Sequence, residues 1–285
     1  MGKKLGYVVD DVNNSFFITD SEKIDTLPAG CYSIEPNQDA IICIKKIKLD
    51  TESIMVLPNS PLNLLLEEVN KFWSESGKYT NYGLKHKRGI LLHGKPGSGK
   101  TTSILKLCED SIKHDSLVFF CDYFDDTHKI QLQRIREIEP TRPLVIVLEQ
   151  LDVSILEEGG FINTELLNFI DGIVGINHVL FLASTTNLDF IPDTIKKRPS
   201  RFDLKVEIKL PDAADREYYF TKMIPTKEMK KIDLAAWVKA TEGYTISHLQ
   251  ELITSHFIYG QTFKSAISNI NKILNDSEKE IGFTK

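Results

Sequence analysis

Gly94-Lys95-Pro96-Gly97-Ser98-Gly99-Lys100-Thr101-Thr102 follows the apolar run Ile90-Leu91-Leu92 and leads into an amphipathic stretch carrying Ile104, Leu105, Leu107 and Cys108. Its glycines let consecutive backbone N–H groups turn inward around a polyphosphate. Lys100 then reaches the β- and γ-phosphates, and the Thr101 hydroxyl is a ligand for Mg²⁺. The setting between a buried strand and a helix separates this segment from a chance Gly-rich turn. A nucleoside triphosphate site is expected.

A chain of 285 residues fits one α/β core with smaller attachments. Its net charge of −5 places nucleic acid behind protein as a partner, although a local basic pore would escape that test. Cys31, Cys43, Cys108 and Cys121 lie far apart in sequence, without the short paired spacings of a zinc site, and read as reduced core thiols. No apolar stretch approaches the ~20 residues of a membrane span, and no hydrophobic leader follows the first lysines, so a soluble, cytoplasmic protein is expected.

Residues 1–57 hold short runs of β character, Tyr7 to Val9, Phe16 to Thr19, Cys31 to Ile34, Ala40 to Ile44 and Ile54 to Leu57, which predict a small antiparallel sheet or barrel. The pattern changes at Pro58-Asn59-Ser60-Pro61, where Leu62, Leu65, Leu66, Val69, Phe72 and Trp73 take up helical spacing. Over 58–211, near-continuous apolar runs (Ile90 to Leu92, Leu117 to Phe120, Leu144 to Leu148, Val179 to Ala183, Leu204 to Ile208) alternate with helical segments. Such runs belong to strands covered on both faces, and predict an α/β fold with a doubly wound parallel sheet. Residues 212–285 read as a helical lid with one apolar stripe, Leu249, Leu252, Ile253, Phe257 and Ile258.

Leu144 to Leu148 deliver Glu149-Gln150-Leu151-Asp152 at a strand's carboxyl end, where open α/β sheets place ligands. This is the Walker B position: its first acidic residue holds Mg²⁺ and its second polarises the water that attacks the γ-phosphate. Glu149 suits the first task, while Gln150 stands in the catalytic place and accepts no proton. Two readings stay open. Either Gln150 is a substitution for a carboxylate that traps the triphosphate state, the preferred reading, or it is natural and orients water as in GTPases. Asn187, after Ser184-Thr185-Thr186, brings an amide beside the γ-phosphate to position water; the plain alternative is a turn former.

With Ile191-Pro192-Asp193-Thr194-Ile195-Lys196-Lys197-Arg198-Pro199-Ser200-Arg201-Phe202-Asp203, the chain from about residue 78 to 258 resembles the AAA subfamily of AAA+ P-loop ATPases. The likeness implies ATP with Mg²⁺, Asn187 as sensor 1, and Arg198 and Arg201 as arginine fingers reaching the γ-phosphate of the neighbouring subunit. A homo-oligomer, a hexamer-like ring or a helical stack, follows from that geometry. Within the family the chain is most similar to the bcs-type proteins. The shared pieces are Tyr79-Thr80-Asn81-Tyr82-Gly83, Lys87-Arg88-Gly89-Ile90-Leu91-Leu92-His93-Gly94, the Glu-first Walker B strand, and Thr164-Glu165-Leu166-Leu167-Asn168-Phe169-Ile170-Asp171-Gly172. Residues 1–57 fall outside this likeness.

Protein-threading members of the family present an aromatic pore loop after strand two, a place held here by Tyr123 and Phe124; the alternative is that the pair caps the core. Glu157-Glu158-Gly159-Gly160-Phe161 is a second pore candidate. Thr241-Glu242-Gly243-Tyr244-Thr245-Ile246-Ser247-His248-Leu249 resembles the family's lid-helix start, with Ser247 supplying no charged sensor 2. The expected function is ATP-driven remodelling or translocation of a protein client. A nucleic-acid-processing loader and a non-hydrolysing ATP-gated scaffold are the rivals.

Overall fold

The computed structural model describes residues 5–10, 13–20, 24–37, 40–52, 54–121, 124–155, 163–171, 176–198 and 201–282. Four strands come first: β1 (Gly6–Asp10), β2 (Ser15–Thr19), β3 (Gly30–Pro36) and β4 (Ile42–Ile47). Helices α1 (Leu62–Ser74) and α2 (Ser76–Asn81) lead to β5 (Lys87–His93), α3 (Lys100–Lys113), β6 (Leu117–Phe120), α4 (Asp126–Ile138) and β7 (Leu144–Leu148). Then follow α5 (Leu151–Ser154), α6 (Thr164–Asp171), β8 (Val179–Thr185), α7 (Asp193–Lys196) and β9 (Leu204–Glu207). The chain closes with α8 (Ala213–Met223), α9 (Thr226–Met229), α10 (Leu234–Ala240), α11 (Ile246–Ile253) and α12 (Phe263–Gly282).

All nine strands join one sheet in the order β1-β2-β4-β3-β6-β7-β8-β5-β9, with every pairing from β3–β6 to β5–β9 parallel. β7 and β8 are buried along their whole length, as their uninterrupted apolar sequences require when helices cover both faces. Contacts divide the chain into two units. One unit comprises Met1–Ile54, Pro61–His93 and Lys100–Glu207; the other comprises Met55–Ser60, Gly94–Gly99 and Ile208–Lys285.

The first strands are antiparallel as expected, yet they extend the core sheet instead of forming a sheet of their own. β3 pairs in parallel with β6, Gly30 opposite Leu117 and Tyr32 opposite Phe119, and the Tyr32 and Phe119 rings stack with centroids 5.5 Å apart. A buried polar network closes the seam. Glu139 Oε1 accepts from the Tyr7 hydroxyl and the Leu27 N–H, each at 3.0 Å, and Glu139 Oε2 accepts from Arg142 Nη1 at 2.6 Å. Burial, followed by the Glu139 charge, pushes the Tyr7 phenol well above its ordinary pKa.

Beneath β5 and β8, His86 and His178 bring their Nδ1 atoms to 3.0 Å, while His86 Nε2 lies 2.9 Å from the Phe72 carbonyl. A neutral His86 that donates to Phe72 from Nε2 keeps Nδ1 as an acceptor for His178. Burial lowers the pKa of both rings.

In the second unit, the expected strand at Ile54 to Leu57 is not formed: this segment is irregular, and Met55 and Leu57 pack against the cluster of Phe220, Trp237, Leu249 and Leu252. The lid stripe holds through Leu249, Leu252, Ile253 and Phe257, but Ile258 is 74% exposed. A π-helical turn at Thr254–Ile258 widens the spiral there and turns the last position of the stripe outward.

Two stability outcomes follow. Glu139→Ala leaves the buried Tyr7 hydroxyl and Leu27 N–H without an acceptor, while Arg142 keeps Asp115, and should lower unfolding free energy by about 1–3 kcal/mol, read from urea denaturation. Because His86 and His178 are held neutral, their contribution is complete above the ordinary histidine pKa of about 6.5 and is lost as pH falls through it. The urea midpoint should therefore drop between about pH 7.5 and 5.5, and His86→Gln should shrink that drop.

Candidate nucleotide site

The loop Gly94–Gly99 holds three glycines with positive φ: 150° at Gly94, 71° at Gly97 and 104° at Gly99. A Cβ at Gly94 would stand 2.3 Å from the Ile208 carbonyl oxygen, and one at Gly97 would stand 2.7 Å from Ser247 Oγ. Both positions therefore need glycine for conformation and for space. The Ile246 N–H donates to the Gly97 carbonyl at 3.1 Å, at the N-terminus of α11. That terminus is capped by Thr245, whose Oγ1 accepts from the His248 N–H, while the Thr245 N–H donates to His248 Nδ1. Gly243, at φ 81°, makes the turn that precedes it. Lys95, Pro96 and Gly97 are exposed, and Ser98 is buried with its Oγ lacking a hydrogen-bond partner.

In the first unit, α3 starts at Lys100, so its opening N–H groups have no intrahelical acceptor, and Thr101 and Thr102 lie in its first turn. Lys100 is buried. Burial lowers its pKa, and the charges of Asp152 and then Glu149 oppose that shift. Glu149 stands directly after β7 and Asp152 in the first turn of α5. Glu149 Oε1 and Asp152 Oδ1 are both buried without a hydrogen-bond partner. The second Asp152 oxygen accepts from Thr186 Oγ1 at 3.3 Å. The sequence reading gives the site roles to Glu149 and Gln150, and the signal for Asp152 is a second acidic residue three positions beyond the first.

Gln150 has left-handed backbone angles, φ 50° and ψ 53°, and is exposed. Its N–H donates to Ser184 Oγ at 3.3 Å, joining the ends of β7 and β8. Asn187, two residues past β8, accepts the Asp189 N–H on its Oδ1 at 2.8 Å, which assigns its amide nitrogen as the remaining donor.

The two arginines expected to act alike differ. Arg201 has a side chain only 4% exposed and is held inside its own subunit: Nε and Nη2 grip both Asp171 oxygens at 2.5 and 2.6 Å, and Nη1 donates to the Thr194 carbonyl at 2.8 Å. As a finger it would have to break this bidentate buried pair, and in this structure Arg201 is an internal anchor. Arg198 is 59% exposed and meets Asp171 Oδ2 through Nη1 at 3.0 Å. Asp171 has its pKa lowered first by the Arg201 hydrogen bonds.

Phe124 belongs to the core, with its ring 4.5 Å from that of Phe169. Tyr123 and the segment Glu157 to Phe161 lie outside the described residues.

The residues present fit a nucleotide with Mg²⁺. Among the described residues no group of three or more His, Cys, Asp or Glu side chains is set to hold a metal alone. Mg²⁺ that shares its shell with phosphate oxygens and water needs only a hydroxyl and a carboxylate or two, which Thr101 and the partnerless oxygen of Glu149 supply. No helix among the described residues is long and apolar enough to cross a membrane.

The family model for ATPases associated with various cellular activities (AAA) matches residues 90–210. The chain is 25% identical over 225 residues to an ATP-dependent zinc metalloprotease FtsH of Ureaplasma parvum, covering 73% of this chain and 30% of that protein. It is 27% identical over 261 residues to the probable mitochondrial chaperone BCS1-B of Dictyostelium discoideum, covering 78% and 55%. With Protein SAV of Sulfolobus acidocaldarius it shares 29% identity over 195 residues, covering 64% and 25%. The chain thus spans only about a quarter to just over half of the length of these relatives. Nine strands in this order, the glycine loop and the acidic strand end accompany the match over 90–210, and the chain carries an AAA ATPase domain there.

Proposed function

We propose that the chain binds and hydrolyses ATP with Mg²⁺ and couples the cycle to remodelling or translocation of a protein partner, as a cytoplasmic homo-oligomer in a ring or helical stack. The observation that carries the hydrolytic part is the pair of buried, partnerless carboxylate oxygens, Glu149 Oε1 and Asp152 Oδ1, whose charges both act on Lys100. Leaving such groups without a donor is unfavourable unless a ligand completes them. The protein client rests on the likeness to a probable mitochondrial chaperone and to an ATP-dependent zinc metalloprotease.

In this reading the Gly94–Gly99 amides and Lys100 hold the phosphates, and Thr101 and Glu149 hold Mg²⁺, which supplies charge neutralisation at the β- and γ-oxygens when bound. Asn187 and Gln150 orient the attacking water. Arg198, exposed and on a short lead from α7, stabilises developing charge in the neighbouring subunit. Arg201 positions that segment through Asp171. Because Arg198 contacts a γ-phosphate that ADP lacks, the interface closes with ATP and relaxes after hydrolysis. The exposed amide of Gln150 also favours a second reading, an ATP-gated scaffold that assembles without hydrolysis.

Arg198→Ala should reduce steady-state turnover by about 10³-fold while leaving ATP affinity nearly unchanged. Mixing it with Lys100→Ala subunits should recover activity, because the second variant donates its arginine to the intact pocket of the first. Lack of recovery, or a particle that stays monomeric with ATP, would exclude action across an interface. Assembly with ATP without phosphate release would favour the scaffold. Thermal and urea unfolding separate the arginines: Arg201→Ala should cost about 3–5 kcal/mol and Arg198→Ala at most about 1 kcal/mol.

A further inference from the structure

At the end of β7 the residue in the catalytic place has no carboxylate, and a nearby carboxylate has one oxygen without a hydrogen-bond partner. Gln150 caps α5 in a left-handed conformation, and its amide has no basic lone pair to take a proton. Asp152, two residues on, has one oxygen tied to Thr186 beside Asn187 and the other buried with nothing to bind. An Asp in the first turn of a short helix usually serves the helix terminus from the surface, with both oxygens hydrated. Burial of Oδ1 argues against that role here. The Thr186 hydroxyl instead fixes the carboxylate at the end of β8, next to the amide that orients water.

We propose that Asp152 is the general base of this site, supplying the carboxylate that Gln150 lacks. The step rests on the reading of the protein as an ATP hydrolase. The water oxygen forms a bond to the γ-phosphorus as the bond from that phosphorus to the β,γ-bridging oxygen breaks. The electron pair leaves with ADP, whose charge Lys100 offsets, and the water proton passes to Asp152 Oδ1. Gln150 and Asn187 hold the water without taking its proton. The arrangement shifts the proton acceptor from the strand end to the following helical turn.

The test uses the full chain, equilibrium binding of a fluorescent ATP analogue, and single-turnover release of phosphate from ATP. Asp152→Asn should bind ATP within about threefold of the unsubstituted chain, retain it intact, and lose about 10²–10³-fold in release rate. Adding Gln150→Glu to Asp152→Asn should restore release by at least about tenfold, since it returns a base at the strand end. Thr186→Val, which leaves Asp152 in place but unties Oδ2, should lower the release rate several-fold at unchanged affinity, and it serves where Asp152→Asn does not fold. Unchanged release in Asp152→Asn overturns the assignment alone, as does a loss that Gln150→Glu fails to restore in a double variant that binds ATP. If the unsubstituted chain binds ATP and releases no phosphate, the hydrolase reading falls, and Asp152 falls with it.

Discussion

A carboxylate oxygen buried without a donor is among the least favourable groups a folded chain can carry, and the carboxyl end of this sheet keeps two, on Glu149 and Asp152. Much of the first unit serves to hold them. β7 is central, hydrogen-bonded between β6 and β8, and buried along all five residues. Its end therefore has little freedom to swing either acid into water. The same burial that makes these oxygens unfavourable in isolation makes them strong toward a cation or a phosphate-bound water, because the surrounding dielectric is low. Stability withheld at this point is recovered when a ligand arrives.

The parallel core was legible because strands covered on both faces need apolar residues at every position, and the runs at Leu144 to Leu148 and Val179 to Ala183 have them. The phosphate loop was legible for an equally physical reason: its glycines take backbone angles that side chains disfavour. The continuation of the first four strands into the same sheet was not. β3 meets β6 through backbone groups that every residue shares, and the Glu139 network joins positions more than a hundred residues apart. Nor does residue type announce a π turn, so the lid stripe runs one residue too far, to Ile258.

At the site, residue type alone does not tell two arginines apart. Arg198 and Arg201 are the same residue type three positions apart, and only Asp171, thirty positions before Arg201, tells them apart. One carboxylate gripped at both oxygens can satisfy a single guanidinium fully, and Arg201 is the one it holds; Arg198 keeps one bond and an exposed side chain. Motif matching finds both arginines, whereas burial separates the one that can leave from the one that cannot.

That separation has a mechanical consequence. If Arg198 acts across an interface as proposed, it needs a base that does not yield when it is pulled, and a buried bidentate pair three residues away provides one. Asp171 ends α6, so the carboxylate that anchors Arg201 also receives Arg198. Withdrawal of Arg198 toward a neighbouring phosphate would leave Asp171 with Arg201 as its remaining arginine partner and would not leave it unpaired. The anchor thus stays neutralised whether or not the finger is extended, and the electrostatic cost of extension is confined to one exposed ion pair, worth about 1 kcal/mol or less. On the proposed reading, an interface built this way would open and close with the nucleotide without straining the core that supports it.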